Sequence, residues 1–234
     1  MEWISNPDIW IAFLTLCALE IVLGIDNIIF ISIVTNRLPE KRQNSARRIG
    51  LLLAMFMRIL LLFSLTQIMA MTGNLFTVLG NEISGRDLIL LLGGLFLIYK
   101  SVSELHDKVA GSKQSKHKKA PARYGATILL IVAIDIVFSF DSVITAVGMV
   151  DQIEVMIAAV VFSVGVMMLA SGTISRFINQ YPTLKVLALA FLIMIGVSLI
   201  AEGMNFHIPK GFIYFSMAFS ILIEMINIRI KSRE

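Results

Sequence analysis

The feature that most constrains this chain is a series of apolar stretches, each close to the length that an α-helix needs to cross a lipid bilayer. Such a helix needs about 20 mainly apolar residues. The 234-residue chain is 57% hydrophobic and 15% charged, which is too apolar for a soluble globular domain. We predict a single all-α polytopic transmembrane domain over residues 1–234, with seven transmembrane helices at residues 9–34, 49–71, 88–105, 125–150, 153–172, 184–202 and 211–230.

The basic residues are distributed unevenly over the connections between these stretches. Cytoplasmic connections of membrane proteins are enriched in Lys and Arg. Of the 20 Lys and Arg residues, seventeen fall on one set of alternate connections, two fall on the other set, and Arg58 lies inside the second stretch. This pattern predicts an N-terminus outside and a C-terminus in the cytoplasm. Because topology explains the net charge of +4, no nucleic-acid partner is expected.

Two acidic segments with similar sequences lie inside the first and fourth stretches. Residues 20–27 read Glu-Ile-Val-Leu-Gly-Ile-Asp-Asn, and residues 135–142 read Asp-Ile-Val-Phe-Ser-Phe-Asp-Ser. Three helices per half is an odd number, so the two related helices must cross the membrane in opposite directions. We predict a 3+3 inverted repeat, as in many transporters. Its halves span 9–105 and 125–202, a basic cytoplasmic linker at 106–124 joins them, and the helix at 211–230 stands outside the repeat.

Four carboxylates lie near the middle of the two related helices. Each intramembrane acid costs about 2.5–3.5 kcal/mol, so the acids are expected to meet water, protons or cations. Arg58 can pair with one or two of them, and we expect it to tune proton exchange or to lock an inactive state. The four acids are Glu20, Asp26, Asp135 and Asp141.

Helix geometry separates the two acids of each segment. Six residues correspond to about 120° around a straight helix and about 9 Å along its axis, so the two acids cannot bind one ion together. A helix break at Gly24 and at the matching Ser139 would bring them closer.

The other arrangement, which we favour, has the two inner acids sharing a metal ion across the two-fold axis while the two outer acids form flanking proton or entry sites. The inner acids are Asp26 and Asp141, and the adjacent Asn27 and Ser142 offer neutral oxygens. The candidate metal ligands are Asp26, Asp141, Glu20, Asp135, Asn27 and Ser142.

The ligand chemistry narrows the ion and the class of protein. Carboxylate, amide and hydroxyl oxygens suit Mg²⁺, Ca²⁺ and Mn²⁺, whereas zinc and copper sites usually use Cys, His or Met. The sequence contains no phosphate-binding loop, no nucleophile elbow and no His-Glu-x-x-His motif. It predicts neither an enzyme nor a tightly bound cofactor, and it leaves the oligomeric state open.

The two acidic segments, together with Ala-Glu-Gly-Met-Asn-Phe-His-Ile-Pro-Lys-Gly at residues 201–211, resemble the TerC family of bacterial integral membrane proteins. The resemblance covers essentially the whole chain. It implies seven transmembrane helices, kinship with the lysine-exporter-type superfamily, and a role in efflux of manganese or another divalent metal. It carries a metal-binding role onto Glu20, Asp26, Asn27, Asp135 and Asp141.

The expected function is secondary transport: export of Mn²⁺ or a similar hard divalent cation across the inner membrane, with protons as a possible counter-ion. The alternative is a non-transporting membrane subunit that binds metal and supplies it to exported or membrane enzymes. Export of a small amino acid, suggested by the superfamily, ranks last because Arg58 is the only basic residue well inside a predicted helix that is a candidate for binding a carboxylate.

Overall fold

The computed structural model describes residues 7–64, 73–78, 81–109, 123–147, 150 and 152–231. For residues 26, 74, 76, 78, 81, 82, 107–109, 141, 144–147 and 231 the description covers the backbone alone. These ranges contain seven helices and two strands: α1 (Pro7–Thr35), α2 (Glu40–Phe63), β1 (Asn74–Val78), β2 (Asn81–Ser84), α3 (Gly85–Val109), α4 (Tyr124–Val147), α5 (Ile153–Gln180), α6 (Pro182–Gly203) and α7 (Lys210–Lys231).

Each of the seven helices overlaps one predicted stretch. Five are long and apolar enough to cross a membrane by length and composition: Pro7–Thr35, Gly85–His106, Ile153–Gln180, Pro182–Gly203 and Lys210–Ile230. The described part of the chain therefore has the composition of a polytopic membrane protein. The predicted linker 106–124 lies largely outside the described residues, and α3 continues to Val109 at its start.

The largest boundary difference concerns α2, which begins at Glu40, nine residues before the predicted start at residue 49. Pro39 occupies the N-cap position, and the first two turns carry charged side chains. Hydropathy detects only the apolar part of a helix, so it misses these polar turns. The helix ends at Phe63, and the last part of the predicted stretch, 65–71, lies outside the described residues.

Many of the most exposed side chains are large and apolar. Leu169 is 84% exposed, and Phe212 and Phe215 on α7 are 68% and 71% exposed. In water such exposure would mark interaction surfaces. On helices of this length and composition it is what contact with lipid chains requires.

The first of two compact units comprises Met1–Met71 and Ala120–Arg176. Within it α1 packs against α2 and α4, and α2 packs against α4. Gly50 of α2 leaves space for Ile131 of α4, because a Cβ atom at residue 50 would lie 3.0 Å from the Ile131 side chain. On α1, Gly24 likewise accommodates the sulfur of Met167 from α5. These contacts bring α1, α2, α4 and α5 together in one unit.

The second compact unit comprises Thr72–Lys119 and Phe177–Glu234. It begins with an antiparallel β-hairpin in which Thr77 pairs with Glu82 and Val78 with Asn81. The sequence predicts this segment only as a connection, since strands this short give no hydropathy signal. The hairpin leads into α3, where the backbone N–H of Ser84 donates to Asp87 Oδ2 (2.9 Å) and that of Asp87 donates to Ser84 Oγ (3.2 Å). The pair forms a capping box.

The main helix contact of the second unit joins α3 to α6. A Cβ atom added at Gly94 would lie 2.6 Å from the Gly196 carbonyl oxygen, and one added at Gly196 would lie 2.9 Å from the Gly94 carbonyl oxygen. Gly203 contacts the carbonyl of Asp87 in the same way. Because partner numbers fall along α6 as they rise along α3, the two helices are antiparallel.

The segment at 201–211 closes α6 and reverses the chain toward α7. The backbone N–H of Phe206 donates to the Ala201 carbonyl (2.8 Å), and Asn205 adopts a left-handed conformation with φ 63°. A helix commonly ends on such a residue. This part of the sequence therefore has a structural explanation in the C-cap of α6.

The predicted repeat halves, 9–105 and 125–202, are defined by the similarity of their two acidic segments and not by packing. The compact units group the helices differently, since each contains helices from both predicted halves. The inverted repeat, the single-domain boundaries and the orientation remain predictions.

Candidate functional site

A buried arginine on α2 is the centre of a polar cluster in the first unit. Arg58 is 3% exposed, and all three guanidinium nitrogens have partners. Its Nη1 forms an ion pair with Glu20 Oε2 on α1, its Nη2 lies 3.0 Å from Asp135 Oδ1 on α4, and its Nε donates to Ser139 Oγ (2.9 Å). One side chain of α2 thus joins α1 to α4.

Asp135 accepts hydrogen bonds on both carboxylate oxygens. Oδ1 accepts from Arg58 Nη2 and from Asn27 Nδ2 (2.9 Å), and Oδ2 accepts from Ser139 Oγ (3.0 Å). Asp135 and Glu20 are each 6% exposed. The two acids that match each other in the predicted repeat therefore meet the same guanidinium in the interior.

Helix periodicity explains which side chains of each acidic segment join this cluster. Glu20 and Asn27 are seven residues apart, about 20° around the helix, whereas six residues correspond to about 120°. Asp135 and Ser139 are four residues apart, so they share a face of α4. Both helices are continuous through these positions. The helix break considered as an alternative at Gly24 and Ser139 is therefore absent, which leaves the favoured arrangement without a break.

The cluster has an unbalanced formal charge. Glu20 and Asp135 each contribute a negative charge when ionised, and Arg58 contributes one positive charge, so the ionised cluster carries one net negative charge. A buried charge without compensation is expensive. The arrangement can therefore accept one further positive charge, as a proton or as a cation.

Asn27 holds one unused acceptor beside Asp135. Its Nδ2 donates to the Asp135 carboxylate, and its Oδ1 is buried without a hydrogen-bond partner among the described residues. Turning the amide around would place Oδ1 against a carboxylate oxygen, which is repulsive, so the described orientation is the favourable one. Such an oxygen is a suitable ligand for a hard cation.

The remaining predicted ligands are Asp26, Asp141 and Ser142. Asp26 lies on α1 and Asp141 on α4, but their side chains lie outside the described part of the structure. Ser142 donates its hydroxyl to the Ser139 carbonyl of its own helix (3.1 Å). Among the described side chains, no group of three or more His, Cys, Asp or Glu residues has the arrangement of a metal site. The metal-binding role of the six candidates remains a prediction.

From the sequence, Ser139 is considered only as the site of a helix break. In the structure its hydroxyl accepts a hydrogen bond from Arg58 and donates one to Asp135. Its position four residues after Asp135 was the signal that could have placed it in the cluster.

A second buried arginine was also missed, because Arg47 belongs to a run of basic residues that was read only as a topology signal. Arg47 is 7% exposed, donates from Nη1 to Ser175 Oγ (2.6 Å), and also donates to Asn44 Oδ1. Ser32 of α1 donates to the same Ser175 hydroxyl (2.9 Å).

The family comparison covers nearly the whole chain. The model described as the integral membrane protein TerC family matches residues 5–234. The chain belongs to the TerC family. The assignment agrees with the resemblance of the acidic segments and of residues 201–211.

Several curated proteins are similar to this TerC-family chain. A UPF0053 protein of Haemophilus influenzae is 56% identical over 98% of both chains. The UPF0053 inner membrane protein YgdQ of Escherichia coli is 50% identical over 97% of this chain and 95% of its own length. The UPF0053 inner membrane protein YoaE of Escherichia coli is also 50% identical over 97% of this chain, which spans 44% of that longer protein.

The two Escherichia coli names describe inner membrane proteins, and none of the three names states a substrate or an enzymatic activity. No solved structure matches the chain at a significant level. Together with the five long apolar helices, the inner-membrane relatives identify this chain as a multi-pass inner membrane protein. Its partner is therefore the lipid bilayer.

Proposed function

We propose that this TerC-family protein is a secondary transporter that exports Mn²⁺ or a related hard divalent cation from the cytoplasm. The observation that carries the proposal is the cluster in which acids from α1 and α4, Glu20 and Asp135, meet inside the first unit. Intramembrane acids mark ion pathways and proton relays in many transporters. An apolar core of this size would not need them for stability.

The donor chemistry supports a hard cation. The described cluster offers carboxylate, amide and hydroxyl oxygens, and Asn27 Oδ1 is a buried acceptor with no partner among the described residues. In the proposal Asp26 and Asp141 bind the cation directly, Asn27 adds a neutral oxygen, and Glu20 and Asp135 hold protons or the entering cation. Ser142 is a weaker candidate because its hydroxyl already bonds its own helix.

The proposal includes the 3+3 inverted repeat and alternating access by movement of the two halves. Two features support the repeat. The matching acids Glu20 and Asp135 bind one guanidinium. In the second unit the α3–α6 contact is reciprocal: a Cβ at Gly94 would touch the side chain of the residue four positions after Gly196, and a Cβ at Gly196 would touch that of the residue four positions after Gly94.

The experiment is Mn²⁺ uptake into inside-out membrane vesicles that contain a metal-sensitive dye. Export from the cytoplasm appears there as uptake, and an imposed proton gradient tests whether protons are the counter-ion. We expect wild-type vesicles to accumulate Mn²⁺ and the variants Asp26→Asn and Asp141→Asn to lose at least about 90% of that uptake, because each removes a direct ligand.

The matched control is Glu154→Gln, which removes an exposed carboxylate at the start of α5 and should leave uptake unchanged. If Asp26→Asn and Asp141→Asn take up Mn²⁺ like the wild type, the transport site is elsewhere. If purified wild-type protein binds Mn²⁺ but vesicles show no uptake, the non-transporting metal-binding subunit replaces the exporter. Transport of an amino acid in place of Mn²⁺ would favour the link to the lysine-exporter-type superfamily.

A further inference from the structure

We propose that Arg58 is a tethered counter-cation, whose guanidinium and the transported cation bind alternately to Glu20 and Asp135. This inference rests on the proposed function, because it assigns a role to a residue of the same site. It adds that a side chain of the protein, Arg58, competes with the transported cation for the two acids. In the state described here the competitor is bound.

The guanidinium of Arg58 uses all three of its nitrogen atoms. Nη1 binds Glu20, Nη2 binds Asp135, and Nε binds Ser139, whose hydroxyl in turn donates to Asp135. Arginine presents its donors in a rigid planar fork that matches carboxylates. A cation cannot take both acids while this fork remains in place.

A divalent cation beside a buried guanidinium would be repelled in a medium of low dielectric constant. The cation and Arg58 are therefore alternatives at these acids. When Arg58 withdraws, Asp135 keeps its bonds from Asn27 Nδ2 and Ser139 Oγ. Asn27 Oδ1, buried and without a partner among the described residues, is then available to the entering ion.

The other buried arginine of α2 has no carboxylate among its described hydrogen-bond partners. Arg47 donates from its two Nη atoms to the neutral oxygens of Ser175 and Asn44, and its buried Nε has no hydrogen-bond partner among the described residues. Burial in this helix does not by itself require carboxylate partners. The two acids at Arg58 thus need their own explanation, and reversible neutralisation of a cation site supplies one. With Arg58 bound, the empty site carries one net negative charge, where the two acids alone would carry two.

The test measures Mn²⁺ affinity and Mn²⁺ flux in the same set of full-length proteins. Affinity is measured by calorimetry on purified protein with Mn²⁺ alone, and flux is measured in reconstituted vesicles. Removing the competitor in Arg58→Gln should tighten Mn²⁺ binding at least about tenfold while the flux falls at least about fivefold, because the ion is no longer displaced. Arg58→Lys, which keeps the charge, should lie between Arg58→Gln and the wild type in both measurements.

The matched control is Arg47→Gln, which removes the other buried arginine of the same helix. Its Mn²⁺ affinity should stay within about twofold of the wild-type value. A purely structural Arg58 would give the same or weaker affinity in Arg58→Gln, and that result overturns the inference. Chemical rescue adds an independent readout: in Arg58→Ala, millimolar methylguanidinium should weaken Mn²⁺ binding competitively, and it should have no effect on the wild type.

The double variant Glu20→Gln with Arg58→Gln removes one charge of each sign, so it keeps the proposal testable if Arg58→Gln does not fold. It should bind Mn²⁺ more tightly than Glu20→Gln alone, and equal affinities would contradict the competition. The proposed function fails separately. If Arg58→Gln binds Mn²⁺ more tightly but the wild-type protein shows no Mn²⁺ flux, the competition is retained and the exporter is rejected. If the wild-type protein shows Mn²⁺ flux but Arg58→Gln binds Mn²⁺ with unchanged affinity, the exporter is retained and the competition is rejected.

Discussion

The two buried arginines of α2 have opposite surroundings although they share one helix face. Eleven residues separate Arg47 from Arg58, which corresponds to about three turns and about 16 Å along the axis. Both are more than nine-tenths buried. Arg58 binds two carboxylates from two other helices, whereas Arg47 donates to a serine hydroxyl and an asparagine amide.

Arg47 shows that a buried arginine in this protein does not need carboxylate partners. A buried ion pair contributes little net stability compared with an apolar replacement of similar volume, but removing one partner is costly. The cluster at Arg58 therefore adds little net stability to the helix packing, but it keeps charges of both signs buried next to each other. Arg47 joins α2 to α5 through its hydrogen bond to Ser175, without a carboxylate partner among the described residues.

The largest change in the free energy of unfolding is expected from removing the charge of Arg58. Arg58→Met leaves Glu20 and Asp135 buried without a counter-ion, so we expect a loss of about 3–5 kcal/mol in the free energy of unfolding. Denaturant titration of the purified protein in detergent measures it. A loss below about 1 kcal/mol would show that the two acids are not ionised against Arg58.

The corresponding change at the other arginine should cost less. Arg47→Met removes hydrogen bonds to Ser175 and Asn44 but leaves no buried carboxylate unpaired, so we expect a loss of about 1–3 kcal/mol. The same titration measures it. An effect as large as that of Arg58→Met would mean that the contrast between the two arginines has no energetic basis.

Neutralising the whole cluster should restore most of the stability. The triple variant Glu20→Gln, Asp135→Asn and Arg58→Met removes both signs of charge, and we expect it to unfold within about 2 kcal/mol of the wild type. Its Mn²⁺ uptake should nevertheless be lost. A stable triple variant with normal uptake would separate this cluster from transport.

The smallest effect is expected next to Arg47. Arg48 is exposed, and Arg48→Gln makes the same change of charge one residue away, so the free energy of unfolding should change by less than about 0.5 kcal/mol. The free energies of unfolding of Arg48→Gln and Arg47→Met are compared in one denaturant titration series. A larger change would show that net charge at this end of α2, and not burial, decides stability.

Much of the helix layout could be predicted from hydropathy, because the apolar stretches are long and are separated by polar connections. The sequence predicts that Arg58 can pair with one or two of the four intramembrane acids, since a single arginine inside an apolar run has few partners to choose from. The identity of those acids could not be predicted. It depends on which face of α4 meets α2, and that is decided by packing such as the contact of Gly50 with Ile131.

The rest of the site was hidden for a different reason. Arg47 lies among basic residues at the polar start of α2, where hydropathy cannot distinguish a buried side chain from a solvated one. Ser139 carries no charge, so a search for acids passes over it. Both became visible only through the distances to their partners on other helices.

The crossing of α3 and α6 has a mechanical consequence for the second unit. Gly94 and Gly196 bring two backbones so close that a single hydrogen atom at each position fills the gap. Antiparallel helices in such contact cannot slide past one another by a turn unless they first separate, because neighbouring side chains would meet the opposing carbonyls. Any movement of the two predicted halves therefore has to preserve the register of α3 and α6, so it proceeds by tilting at this crossing and not by sliding along it.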